Sequence, residues 1–145
     1  MNYTTIEQSK HLLELGLKPG TCDKVWVSDK GAEVEFTVDL MDEEDYGKYV
    51  YTYPNDIYIP CWSTGALLEL MPFIKKSIDT YIPYLVKGTE SWNGKTIPMY
   101  NCFYALETSD GIIEIQSFCG QSSLEAVYNM VVWLLQNNYI KTEKI

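Results

Sequence analysis

Apolar side chains recur at helical spacing near both ends of the chain and at every second residue in much of its middle. The firmest pattern is residues 122–138, where Leu124, Val127, Val131, Leu134 and Leu135 share one face at about 100° per residue. Ser122 and Glu125 have the spacing of a capping box, which predicts the helix start. Asn138 is the residue best suited to a left-handed stop, with Tyr139 folding back on Leu134. A second helix is predicted from Thr4, paired with Glu7 as its capping box, to Gly16. Ile6, Ser9, Leu12 and Leu13 form its inner side, and Leu17 closes on Leu12. A third, short and deeply buried helix is predicted after Ser63. There Trp62 and Leu67 stand at stapling positions, and Pro72 limits the end.

Between the helices the period changes to two. Residues 25–28, a turn at Asp29-Lys30-Gly31 and residues 32–40 read as a hairpin; Val34, Phe36, Val38 and Leu40 alternate with polar neighbours. Tyr49, Tyr51 and Tyr53 would leave one face if their stretch is extended. Residues 73–81 fit no single period, 82–86 read as a strand, and 88–95 read as a loop. Residues 97–108 and 112–119 predict a hairpin through Asp110-Gly111. In that register Leu106 faces Ile115, Tyr104 faces Ser117 and Cys102 faces Cys119, setting two thiols side by side. The whole pattern predicts one α+β domain over residues 1–145, a mostly antiparallel β-sheet of about five strands with three helices packed on one face.

A chain of 145 residues with 46% hydrophobic content buries roughly two-thirds of its unfolded surface. No apolar run approaches the ~20 residues of a membrane span, and the first residues lack the basic and apolar parts of a signal peptide. A cytoplasmic protein is therefore expected. A net charge of −9 argues against binding nucleic-acid phosphates directly. It leaves open an acidic mimic of nucleic acid, for which the five carboxylates between Asp39 and Asp45 are the material. Those carboxylates lack calcium-loop spacing, so a solvated loop accounts for them. Four scattered cysteines and the single His11 offer no zinc spacing, and no metal or cofactor is expected.

Three blocks, TIEQSKHLLELGL, IPCWSTGALLELMP and EAVYNMVVWLLQNNYI, resemble a group of small uncharacterised proteins from phage and prophage-like regions of gut bacteria. The resemblance spans both ends and the centre of the chain. It implies an accessory protein of a mobile element in a bacterial cytoplasm, and it carries over no activity and no site residue.

Candidate chemistry is sparse. His11 lies on the polar face of its helix four residues after Glu7, where a solvated pair accounts for it; general-base work would need a nucleophile or carboxylate partner in a pocket. Cys61 and Cys119 each precede a predicted helix start, where a dipole can activate a thiol. Cys61, however, stands beside Trp62 in an apolar segment and Cys119 ends a strand, so ordinary core cysteines explain both. The 12 tyrosines suit either a recognition surface or a sheet face under a helix. Trp133 points about 160° away from Val131 on the helical wheel, flanked by Ala126 and Met130. Either the 73–81 stretch or a second molecule must cover it. The leading expectation is a non-enzymatic interaction protein binding another protein, or a second copy as a homodimer, through Tyr49, Tyr51, Tyr53, Met130 and Trp133. A thiol-dependent hydrolytic or small-molecule-binding domain and the acidic mimic are the alternatives.

Overall fold

In the computed structural model, residues 2–28, 37–40 and 57–142 are described. The chain divides into two compact units, Met1–Ala66 with Lys141–Ile145, and Leu67–Ile140. Helices and antiparallel strands make both, so the α+β class holds.

The first unit holds α1 (Ile6–Glu14), a 3-10 turn at Pro19–Thr21, and three strands, β1 (Lys24–Ser28), β2 (Thr37–Leu40) and β3 (Ile57–Cys61). The strands form an antiparallel sheet in the order β2-β1-β3. β1 and β2 pair antiparallel, as the expected hairpin requires, while its predicted turn and residues 32–36 of its second strand lie outside the described residues. Val25 and Val27 are buried and Tyr58 packs against them. The capping box of α1 falls one residue later than expected. Thr5 Oγ1 accepts from Gln8 N at 3.1 Å and Gln8 Oε1 accepts from Thr5 N at 3.0 Å. Thr4 is engaged elsewhere: its hydroxyl pairs with Ser9 Oγ at 2.7 Å and accepts from Trp62 N at 3.1 Å. Its carbonyl accepts from Trp26 Nε1 at 3.0 Å. The helix ends as predicted, with Gly16 at φ 97° and Leu17 N bonded to Leu12 O at 3.0 Å, a Schellman closure.

Helix α2 (Thr64–Glu69) crosses the division between the units. Ser63 caps it, its Oγ accepting from Ala66 N at 3.1 Å. Asp23 holds the cap in turn: Oδ1 accepts from Ser63 N at 2.8 Å, and Oδ2 accepts from the Ser63 hydroxyl. The helix is less deeply buried than its composition suggests. Leu67 is its one buried residue, while Gly65, Leu68 and Glu69 are exposed.

The second unit is a four-stranded antiparallel sheet, β4 (Ile74–Lys76), β5 (Asp79–Trp92), β6 (Lys95–Thr108) and β7 (Gly111–Gly120), in that order, with α3 (Ser123–Gln136) against β5, β6 and β7. Leu124, Val127, Val131, Leu134 and Leu135 are all buried, as their spacing predicts. Ser122 Oγ accepts from Glu125 N at 3.1 Å. The returning Glu125 carboxylate, however, accepts from Gln121 N, one residue before the cap. Asn138 stands at φ 61° and Tyr139 N bonds Leu134 O at 2.9 Å, completing the predicted stop.

The strand plan differs from the expectation of about five strands in one sheet. The described strands are seven, in sheets of three and four. The three helices do not share one sheet either, since α1 belongs to the first unit and α3 to the second. The 73–81 stretch is a tight hairpin whose three-residue β4 is too short to show a period. Residues 88–95, expected as a loop, are the tip of a long hairpin. Asn93 and Gly94, at φ 50° and 73°, make a type I′ turn there, which joins β5 to β6 in register from Trp92↔Lys95 inward.

Candidate interaction surface

Directly paired residues of an antiparallel sheet leave the same face. On one face of β5 and β6 stand Pro83↔Tyr104 and Leu85↔Cys102. Tyr104 and Cys102 are fully buried, and α3 packs on these strands. Tyr104 is anchored by its hydroxyl, which donates to Pro72 O at 2.7 Å. Burial pushes the Cys102 thiol up to about 12 and raises the Tyr104 phenol as well.

The opposite face carries Ile82↔Ala105, Tyr84↔Phe103, Val86↔Asn101 and Trp92↔Lys95. Tyr84 and Phe103 stack, with centroids 5.2 Å apart and planes 16° from parallel. Ile82 and Val86 flank this pair, exposed by 41% and 49%, and Trp92 at the hairpin tip is 69% exposed. Asn101 Oδ1 is buried without a hydrogen-bond partner among the described residues. β7 reaches only as far as Tyr100 along β6. Beyond it, β5 and β6 pair with each other alone among the described residues, as a two-stranded arm. Such a ribbon is marginally stable on its own, and tryptophan is among the residues enriched at the energetic centres of interfaces. Sequence reading missed this arm because Gly88, Thr89, Glu90 and Ser91 alternate without an apolar face. The Asn93-Gly94 pair is the signal that marks it.

The residues singled out in sequence fare differently. Met130 is fully buried and offers no surface. Trp133 is half-buried, its ring 5.4 Å from that of Tyr139, so its cover includes the chain's own return after α3. Tyr49, Tyr51, Tyr53 and residues 41–45 of the acidic run lie outside the described residues. His11 Nδ1 lies 4.0 Å from Glu14 Oε2 on the surface of α1, rather than pairing with Glu7.

Cys61 is fully buried, and its thiol is pushed up to about 12 by burial and then by Cys22 and Asp23, with Lys24 opposing. A thiol so held is a poor nucleophile at neutral pH. Cys119 is exposed, but it does not face Cys102. The loop of the β6–β7 hairpin is Ser109-Asp110, and a bulge falls where Tyr104 pairs with Gln116 and Ala105 with Glu114. Cys102 therefore faces Phe118, and Cys119 faces Asn101 on the other side of the sheet. Among the described residues no group of three or more His, Cys, Asp or Glu is placed to hold a metal ion. No helix among them is long and apolar enough to cross a membrane.

Comparison with protein-family models, with curated proteins and with solved structures gives no match.

Proposed function

We propose that this chain is a non-enzymatic interaction protein that docks another protein on the outer face of the β5–β6 hairpin. One observation carries the reading. Ile82 and Val86 stand exposed on either side of the stacked Tyr84–Phe103 pair, and Trp92 stands exposed further along the same face at the hairpin tip, opposite the face that holds buried Tyr104 and Cys102. Isolated apolar residues on a surface need no explanation, but exposed aliphatic residues flanking an aromatic pair on one sheet face, with an exposed tryptophan on the same face of the arm, do. The raised thiol of buried Cys61 weighs against the hydrolytic alternative. The resemblance to phage and prophage proteins points to a bacterial cytoplasmic protein as the partner.

The test is a paired comparison of the native chain with Trp92→Ser and Val86→Ser. Partner capture from bacterial lysate and solution mass are measured alongside circular dichroism. The variants are expected to stay folded and lose the captured protein. Retention of the same partner by both folded variants would reject this face as the docking surface. A native dimer that the variants dissolve would make a second copy the occupant.

A further inference from the structure

The sheet of the second unit ends in two edges of different character. Beyond its pairing with β4, the outer edge of β5 carries Pro83 and Lys87. Proline and lysine are the residues natural edges use against strand addition. β7 has neither. It runs for ten residues, GIIEIQSFCG, and among the described residues it pairs only with β6. Ile112 and Ile113 are 65% and 50% exposed, and what guards this edge within the strand is the bulge at Ile115 and the single charge of Glu114. Alternate N–H and C=O groups of such a strand point outward, away from its one neighbour. Among the described residues only short-range side-chain bonds meet β7 backbone, Gln116 Oε1 accepting from Ser117 N at 3.0 Å and Thr108 Oγ1 donating to Gly111 O at 2.8 Å.

Charge decides what would fit there. From residue 96 to residue 140 the chain has no lysine, arginine or histidine. Its charged side chains in that span are Glu107, Asp110, Glu114 and Glu125, all exposed. Three of them cluster around the first half of β7: Glu114 within it, Glu107 directly across from Ile112, and Asp110 in the turn. Ile112 and Glu114 leave on the outer face with Glu107, while Ile113 leaves on the other. A strand laid along this edge puts alternate side chains beside those carboxylates and the rest beside Ile113. A second copy would bring the same carboxylates and no cation.

We infer that β7 is a strand-addition site for an extended segment of a partner protein in which lysine or arginine alternates with apolar residues. The inference rests on the reading of the chain as an interaction protein and adds the mode of binding and the chemistry of the partner. Main-chain bonds supply the pairing, and the carboxylates select the basic strand.

The experiment titrates the full-length, isotope-labelled protein with three capped nonapeptides: alternating Lys-Val, alternating Glu-Val, and Lys-Val with a central proline. The Lys-Val peptide is expected to shift the amides of Ile112 through Cys119. Its binding should weaken about tenfold in Glu114→Lys and fall with added salt. The Glu-Val and proline peptides should not bind. Equal binding of the Glu-Val peptide, or no binding of any peptide, would overturn the inference. Shifts confined to Tyr84, Val86 and Trp92 would overturn the β7 site while leaving the outer face standing as a docking surface. Concentration-dependent shifts of β7 without peptide would make a second copy the occupant and overturn it too. Ile113→Lys, on the other side of the strand, serves as a second variant if Glu114→Lys does not fold.

Discussion

Cys102 and Cys119 stand on adjacent strands and have opposite fates. Cys102 is sealed against α3's side of the sheet, whereas Cys119 is exposed on the other side. Alkylation of the native protein at pH 8 should therefore modify Cys119 first, read by peptide mass. Equal labelling of Cys102 without unfolding would contradict the register. Burial also ties stability to alkali. The thiols of Cys61 and Cys102 are raised from an ordinary 9.0 to about 12. The folded chain thus keeps protons that the unfolded chain gives up above pH 9. That contribution is fully present below pH 9 and is lost as the pH climbs towards 12, with the buried Tyr104 and the half-buried Tyr128 phenols acting in the same direction. The melting temperature should fall through this window, and Cys102→Ala should flatten the fall. A melting temperature constant across it would refute the assignment.

Helix ends are largely legible in the sequence, because capping is local chemistry. Gly16, Asn138 and Ser63 each do what their positions imply. The start of α1 shows where local reading stops. Thr4-x-x-Glu7 and Thr5-x-x-Gln8 are overlapping boxes, and nothing nearby chooses between them. The choice comes from Trp26 and Trp62, 22 and 58 residues away from Thr4, which occupy Thr4 and leave Thr5 to cap. Thr5→Ala should cost about 1 kcal/mol, as N-caps do. Thr4→Val should cost about 1–3 kcal/mol, because it strands Ser9 Oγ and Trp62 N in a sealed site. Denaturant unfolding of the two variants checks this, and the reverse order would show that Thr4 is not the anchor. At the other end of the chain, Asn138→Ala should lose about 1–2 kcal/mol to its left-handed backbone, while Asn138→Gly should not. The β6–β7 register is not legible, since a bulge at one residue flips every pairing beyond it. A count outward from the turn cannot see it.

Charge and apolar exposure oppose one another across the whole molecule. Hydrophobic periodicity identifies Ile82, Val86 and Ile112 as strand residues, but it cannot say which face of the sheet α3 leaves open. That depends on how Tyr104, Cys102 and the α3 stripe pack together, a long-range outcome. The result is a sheet with exposed Ile82, Val86, Trp92, Ile112 and Ile113 in a chain of net charge −9. At neutral pH, this like charge opposes the approach of those surfaces on separate molecules. As the pH falls towards the sequence pI of about 4.5, the repulsion vanishes while the apolar area is unchanged. Turbidity of the native protein should therefore peak near pH 4.5. The double variant Trp92→Ser, Ile112→Thr leaves the charge untouched, so it should peak at the same pH but to a much smaller extent. An undiminished peak in a folded double variant would mean that association runs through some other surface.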